Sequence, residues 1–134
     1  MTIHHHPDFI PYQYIVHIKG EDKPLVTDVE SAESIHIKIP AGVKFYQIVR
    51  FKVKNRKLEN LHYKQLTKKA GLTIKKIEVD LGTHEPSETE IYEVQTPEDS
   101  TPGGWLTKGQ YSSTTTYYEG DKELYTDDWI LEII

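Results

Sequence analysis

The histidines are the residues of this chain best suited to hold a metal ion, because a neutral imidazole nitrogen is a common metal ligand. Three of the seven are consecutive, at His4-His5-His6, and the other four are scattered. The sequence has no HExxH motif or comparable spacing. The triplet is therefore more typical of a partial tag or a solvated terminus, and we predict neither a metal site nor a cofactor.

Acidic residues occur in adjacent pairs, at Glu21/Asp22, Glu98/Asp99 and Asp127/Asp128. A glycosidase needs two carboxyl groups that face each other across a sugar. Neighbouring residues of a strand point to opposite faces, so Asp127 and Asp128 cannot both reach one substrate atom. We expect the loop acids Glu98 and Asp99 to lie on a solvated surface.

Other catalytic arrangements are also missing from the sequence. The chain has no cysteine, which excludes a thiol nucleophile, a disulfide and a Cys-ligated zinc or iron–sulfur site. It has no GxSxG elbow and no glycine-rich phosphate loop before a helix. We therefore predict that the protein is not an enzyme.

Small hydroxyl residues and aromatic residues leave two structural questions open. The run from Ser112 to Thr116 has the composition of a solvent-exposed strand, and we expect a structural role for it. The aromatic residues could fill an ordinary core, or two sheets could part to admit an apolar ligand. Composition alone does not separate these alternatives, which concern Phe45, Phe51, Trp105, Tyr111 and Trp129.

The length and charge of the chain limit its class. It has 134 residues, which suit a single domain, and its net charge of −5 gives no general electrostatic reason to bind nucleic acid. No apolar run approaches the roughly 20 residues of a membrane span, and no signal-peptide core follows the start. We expect a cytoplasmic protein that binds no nucleic acid.

Hydrophobic residues alternate with a period of two, which predicts strands. Ile35, Ile37 and Ile39 alternate with polar residues, and Phe45 to Val53 present apolar side chains on one face. Residues 55–69 begin as a loop that enters a strand, and residues 97–104 are a linker without periodicity. About eight short strands predict an all-β, immunoglobulin-like antiparallel β-sandwich. The strands are expected within residues 14–18, 35–39, 45–53, 61–66, 73–81, 91–94, 108–118 and 129–134.

A long ordered motif in the second half of the chain resembles a known family. Thr96-Pro97-Glu98-Asp99 is followed by Pro102-Gly103-Gly104-Trp105-Leu106 and by Gly109-Gln110-Tyr111. Earlier segments fit the same pattern, including Leu61-His62-Tyr63-Lys64-Gln65. Together these segments are similar to the Rho GDP-dissociation inhibitor family over about residues 14–134.

The resemblance implies a carrier of prenylated Rho- or Rac-type small GTPases in the GDP form. It implies that a geranylgeranyl or farnesyl chain lies between the two sheets, and that the carrier extracts the GTPase from membranes and restrains GDP release. The protein is expected to be a monomer, and its contact with the membrane is expected to be transient. Two alternatives stay open: a carrier of other prenylated or acylated proteins, and an interaction module without a lipid.

Matching family positions give the residues expected to contact the prenyl group. They are Ile37, Phe45, Leu58, Leu106, Tyr111, Trp129 and Leu131. One aliphatic position of the family falls on Ser113, which makes that wall more polar. The last strand of the family commonly carries two tryptophans on one face, and here Asp127 or Leu131 takes one of those places.

The resemblance also implies acidic residues that receive the basic C-terminal tail of the GTPase. They are Glu93, Asp99, Glu119 and Asp121. One further acidic position of the family falls on Lys75, which weakens this surface. We expect residues 1–13 to be a short segment without the family's regulatory arm, and residues 14–134 to form the prenyl-binding domain.

Overall fold

A computed structural model of the chain describes residues 6–30, 34–100 and 108–134. Within these ranges the secondary structure is entirely β, in ten strands. The strands are β1 (Phe9–Ile18), β2 (Leu25–Asp28), β3 (His36–Ile39), β4 (Lys44–Val53), β5 (Leu58–Lys69), β6 (Leu72–His84), β7 (Tyr92–Gln95), β8 (Asp99–Ser100), β9 (Gly109–Glu119) and β10 (Lys122–Ile133). The predicted all-β immunoglobulin-like sandwich is confirmed.

The strands form two sheets of five strands each. The first sheet has the order β2-β1-β4-β7, and β8 also pairs with β4. The second has the order β3-β10-β9-β5-β6. All pairs are antiparallel except β3 with β10, which is parallel and joins Leu131 to Ile37. This one parallel pair adds to the predicted antiparallel sandwich, because β3 returns to the second sheet beside β10 instead of forming a hairpin.

The alternation of β4 shows why these residues form a sandwich. Val49, Phe51 and Val53 are buried, whereas the residues between them are only partly covered. β9 repeats this pattern, with Tyr111 and Tyr117 buried. Because each sheet has one apolar face, the two faces can leave water only by packing against each other.

One end of the sandwich is filled by aromatic rings. The ring centroid of Phe9 lies 5.4 Å from that of Phe51 and 4.9 Å from that of Tyr117. Tyr125 stacks on Tyr117 with centroids 5.0 Å apart, and the hydroxyls of Tyr14 and Tyr117 are hydrogen-bonded. We call this cluster of Phe9, Phe51, Tyr117 and Tyr125 the filled end.

The boundaries of β1 and β5 differ from those expected from periodicity. β1 begins at Phe9 rather than Tyr14, since Pro11 stands at an irregularity in its pairing with β4. β5 is a strand from Leu58, and its pairing with β6 is shifted between Leu58 and Leu61. Asn60 there has a positive φ of 54°. Such an irregularity interrupts the period of two, so the alternation is hidden in the sequence.

Candidate functional site

A cavity of about 370 Å³ lies between the two sheets, in the range that suits a small-molecule ligand. It is at the other end of β9 from the filled end, around Tyr111. Most of its wall is apolar side chain or aromatic ring. It is lined by Ile39, Phe45, Gln47, Tyr63, Gln65, Thr67, Ile74, Lys75, Ile77, Glu78, Val79, Thr96, Pro97, Glu98, Asp99, Ser100, Tyr111, Trp129, Leu131 and Ile133.

Four of the predicted prenyl-contacting residues line this cavity together. Phe45 comes from the first sheet and Tyr111, Trp129 and Leu131 from the second. Tyr111 pairs directly with Leu131 across β9 and β10, so the two side chains are neighbours on one face. The strand alternation that builds the core therefore also turns these side chains toward the cavity, Phe45 from one sheet and the other three from the opposite sheet.

Two of the aromatic rings are held by polar contacts. The indole Nε1 of Trp129 donates a hydrogen bond of 3.0 Å to Oγ1 of Thr115. The ammonium nitrogen of Lys69 lies 4.6 Å from the ring centroid of Tyr111, a cation–π distance. These contacts fix the orientation of the rings that form the wall.

The remaining three predicted residues are placed differently. Ile37 lines a small adjoining void of about 10 Å³, which also touches Trp129. Leu58 is fully buried where β5 begins, pairs with His84, and does not line the cavity. Leu106 lies outside the described residues. Their contact with a lipid stays a prediction.

Sequence reasoning missed a set of buried or half-buried polar side chains on the interior face of the second sheet. Gln65, Thr67, Ser113 and Thr115, which we call the polar band, occupy two adjacent rows across β5 and β9. Ser113 and Thr115 are 1% and 3% exposed. The expectation that residues 112–116 are an exposed strand is therefore wrong for these two, because alternate residues of β9 point inward.

The polar band is hydrogen-bonded within itself. Oγ1 of Thr67 and Oγ of Ser113 are 3.1 Å apart, and Oγ1 of Thr115 donates to Oε1 of Gln65 at 3.3 Å. Such pairing reduces the cost of burying hydroxyl groups between two apolar sheets. The band could have been found from the direct pairing of Gln65 with Thr115. That pairing depends on the register of β5 and β9, which the sequence alone does not give.

Asp127 is a buried carboxylate on the same interior face. It is 4% exposed and pairs with Thr115 across β10 and β9. Within the described residues its Oδ2 atom has no hydrogen-bond partner. Burial, aided by the charge of Asp128, raises the pKa of Asp127 to about 6. Asp128 points outward and accepts a hydrogen bond from Thr114, so the two carboxylates do face opposite ways.

An ion pair crosses between the sheets where the cavity meets solvent. Lys75, on the edge strand β6, contacts Asp99, which pairs with Phe45 of the first sheet through β8. Both side chains are partly exposed. Glu78 and Glu98 also line this side of the cavity. The mouth of the cavity therefore carries more negative than positive groups. Two of its acids already have partners, because Asp99 contacts Lys75 and Oε1 of Glu78 lies 3.1 Å from Nδ1 of His62.

The other predicted tail-contacting acids lie away from the mouth. Glu93 is on β7, where Oε1 is 3.1 Å from Nε of Arg50. Glu119 is at the opposite end of β9 from Tyr111, about 26 Å away at roughly 3.3 Å per residue. Asp121 lies in the turn that follows β9. Among the four predicted acids only Asp99 lines the cavity.

Glu119 belongs to an ion-pair cluster with Arg56 and Asp8. Its Oε1 lies 2.9 Å from Nη2 of Arg56, and the same arginine bonds Asp8 at 3.0 Å. The hydrogen bond from Arg56 holds the pKa of Glu119 below its usual value. This ion-pair cluster ties the start of β1 to the β4–β5 turn and the end of β9. Its contact with a GTPase tail stays a prediction.

Comparison with known proteins identifies the family. The family model described as RHO protein GDP dissociation inhibitor matches residues 14–134. The chain belongs to the Rho GDP-dissociation inhibitor family. Members of this family are regulators of GDP dissociation, and the resemblance inferred from residues 96–111 is confirmed.

Three curated relatives carry the same family name. The Rho GDP-dissociation inhibitor of Saccharomyces cerevisiae is 30% identical over 87% of this chain and 62% of its own length. That of Schizosaccharomyces pombe is 30% identical over 81% of this chain and 55% of its own. Human Rho GDP-dissociation inhibitor 1 is 29% identical over 81% of this chain and 53% of its own. The chain thus spans between about half and about three fifths of these relatives.

The fold also has neighbours among solved structures. An immunoglobulin-like protein from Pseudomonas aeruginosa aligns with 92% of this chain and 90% of its own, at 13% identity and a TM-score of 0.41. Within the described residues of this Rho GDP-dissociation inhibitor, no helix is long and apolar enough to cross a membrane. In the same part of the chain, no three His, Cys, Asp or Glu residues are grouped as a metal site requires.

Proposed function

We propose that this protein binds a prenylated Rho-type small GTPase in its GDP form and covers the isoprenoid chain between its two sheets. The observation that carries the proposal is the cavity itself. It lies between the sheets, and Phe45, Tyr111, Trp129 and Leu131 meet in its wall. A plain interaction module with a filled core would have no use for such a space.

The energetics favour this use of the cavity. Burying hydrocarbon yields roughly 0.8 kcal/mol per methylene as an upper guide, so a chain of about 15–20 carbons can dominate binding. Ordering the chain and the protein lowers that yield. A bilayer offers the same apolar environment, so extraction also needs protein contacts that the membrane cannot supply.

The acidic mouth supplies one such contact. Asp99, Glu98 and Glu78 lie beside the opening, where a basic segment next to the lipid would pass. Opposite charges accelerate encounter and fix the register of the chain more than they add affinity. On this proposal, the protein keeps its GTPase in the cytoplasm and restrains the release of GDP.

Titration with a fluorescent geranylgeranyl or farnesyl cysteine peptide tests the proposal. We expect saturable binding at micromolar protein, and we expect Phe45→Asp to weaken it at least tenfold because a charge would be buried against hydrocarbon. Val26→Asp is the matched control, since Val26 is 54% exposed on β2. A folded protein that binds neither lipid would contradict the proposal. Tighter binding of a myristoylated peptide would favour a carrier of acylated proteins.

A further inference from the structure

Positive charge is concentrated in the β5–β6 hairpin, although the chain as a whole has a net charge of −5. Residues 60–77 contain no aspartate or glutamate and five lysines, which are Lys64, Lys68, Lys69, Lys75 and Lys76. Residues of a strand alternate between its two faces, so these lysines are divided between the cavity side and the outer face of the second sheet. Lys75 lines the cavity, whereas Lys68 and Lys76 are exposed on the outer face.

The outward lysines of this hairpin have no carboxylate partner. Every cation from Arg50 to Lys57 forms an ion pair with an aspartate or a glutamate. In the part of the chain that the structure describes, no such pair involves Lys68, Lys76 or Lys108. An ammonium group without a carboxylate beside it keeps its attraction for an external anion. The outer face of the hairpin can therefore attract a negatively charged partner.

The turn of the hairpin adds an exposed apolar side chain beside these charges. Leu72 is 70% exposed and directly follows the tight turn of Ala70 and Gly71, both of which have positive φ. Lys108 is also exposed, and its carbonyl oxygen accepts a hydrogen bond of 3.3 Å from Nζ of Lys69, which places it beside the turn. We call this set the basic tip, and it consists of Lys68, Lys76, Lys108 and Leu72.

An exposed apolar residue among unpaired lysines is typical of a surface that binds an anionic lipid bilayer. Acidic headgroups attract the lysines, and the apolar side chain enters the boundary between headgroups and acyl chains. The tight turn presents Leu72 in a fixed position, so little conformational freedom is lost on docking.

The acidic residues elsewhere in the chain do not cancel this attraction. Glu59, near the start of β5, lies about 30 Å from Lys68 at roughly 3.3 Å per residue. The screening length at 0.1 M salt is only about 10 Å. At the mouth of the cavity, the charge of Asp99 is already compensated by its contact with Lys75. The net charge of the chain therefore does not prevent the tip from approaching an anionic surface.

The basic tip and the mouth of the cavity belong to the same strand. Ile74, Lys75 and Ile77 of β6 line the cavity, while Lys76 among them faces outward. Leu72 precedes Lys75 by three residues, about 10 Å along the strand. A bilayer bound at the tip would therefore lie beside the opening of the cavity.

We propose that the basic tip docks on an anionic membrane surface and so holds the mouth of the cavity against the bilayer. The docking itself requires no lipid in the cavity, but its use in bringing an isoprenoid to the mouth rests on the proposed function. An acidic protein would also attract the lysines. A single protruding apolar side chain, however, suits a fluid interface better than a protein surface, which would need a matching pocket.

Sedimentation with lipid vesicles tests the docking on the whole chain without a GTPase. We expect the chain to bind phosphatidylcholine vesicles that contain about 30% phosphatidylserine, and not vesicles of phosphatidylcholine alone. Binding should fall at least tenfold between about 50 and about 300 mM salt, because added salt screens the surface potential.

Two variants of the basic tip and one matched control sharpen the test. Lys68→Gln with Lys76→Gln should weaken binding to the anionic vesicles at least tenfold, since each lysine near such a surface contributes a gain of about fivefold. Leu72→Ser should weaken it about threefold and leave its salt dependence unchanged. Lys57→Gln with Lys122→Gln makes the same change of charge at exposed positions near the filled end and should leave vesicle binding unchanged. In solution, the fluorescent lipid peptide should bind all of these variants equally.

Two results would overturn the inference. One is a lack of binding to the anionic vesicles by the unmodified chain at low salt, which would leave an acidic protein as the partner of the basic tip. The other is an equal loss in the lysine variant of the tip and in its control, which would mean that the vesicles respond only to total charge. Failure of the proposed function gives a different result, since the lipid peptide would then not bind although the anionic vesicles do.

Discussion

Asp127 is the residue whose ionisation the fold changes most clearly among the described carboxylates. Its pKa is raised to about 6 by burial, aided by the neighbouring charge of Asp128. The folded state therefore holds this proton more tightly than the unfolded chain does. The resulting stability is present below about pH 4 and is lost as the pH rises through about 6, a loss of about 2–3 kcal/mol.

Asp127→Asn should remove this loss. We expect the difference in free energy of unfolding between the variant and the unmodified protein to grow in favour of the variant from pH 4 to pH 7. Urea unfolding at several pH values measures the difference, which also cancels the contributions of the lowered pKa values of Asp8 and Glu119. Asp121→Asn, in the exposed β9–β10 turn, is the control. A difference that does not change with pH would contradict the prediction.

Single residues show where sequence reasoning succeeds and where it stops. That Asp127 and Asp128 face opposite ways follows from strand geometry and needs no coordinates. Which of them faces inward depends on the irregularity between Glu123 and Tyr125 in the pairing of β9 and β10. The burial of Ser113 and Thr115 was missed because a hydroxyl residue can be buried in a strand when it has a hydrogen-bond partner, and that partner depends on the strand register.

The edge strands β6 and β8 meet across the mouth of the cavity through Lys75 and Asp99. A basic tail that passes the mouth must compete with Lys75 for the carboxylate of Asp99. A partly exposed ion pair of this kind contributes little to stability. The pair therefore acts mainly on the approach of charged ligands.

Lys75→Ala should strengthen the binding of a lipidated peptide with a lysine-rich tail. We expect a gain of about threefold at low salt that falls as salt is added, because the screening length shortens. The same lipid on a peptide with serines in place of the lysines is the control and should show no gain. An equal gain for both peptides would mean that Lys75 obstructs the lipid rather than the charge.

Strands with regular alternation were predictable as elements, whereas irregular ones were not. β4 and β9 alternate without interruption over most of their length, and their inward faces follow from the period. The start of β5 at Leu58 was hidden by its shifted pairing with β6, and β2 was hidden because it is short and mostly exposed. The parallel pairing of β3 with β10 depends on contacts distant in sequence, which local patterns do not encode.

The whole molecule divides into a filled end and an end that holds the cavity. Rings close-pack around Phe9 at the filled end, so stability is concentrated there. At the other end apolar side chains face unfilled space, which a well-packed core would avoid. Stability and ligand binding are thus assigned to opposite ends of one sandwich.

Leu131→Phe should increase stability and weaken lipid binding. We expect the larger side chain to occupy part of the cavity, raising the free energy of unfolding by up to about 1 kcal/mol and weakening lipid binding about tenfold. Denaturant unfolding and the fluorescent titration measure the two effects. Leu72→Phe, at a position 70% exposed on β6, is the control. A variant that gains stability without losing affinity would place the lipid away from Leu131.

The parallel pairing of β3 with β10 also orders events during synthesis of the chain. Within the described residues β3 has its sheet partner only in β10, which the ribosome makes more than eighty residues later. Until β10 emerges, the isoleucines of β3 cannot pack into the second sheet. The nascent sheet then has an unpaired edge strand that can associate with other chains. Translation of the last strand is therefore the event that closes the second sheet.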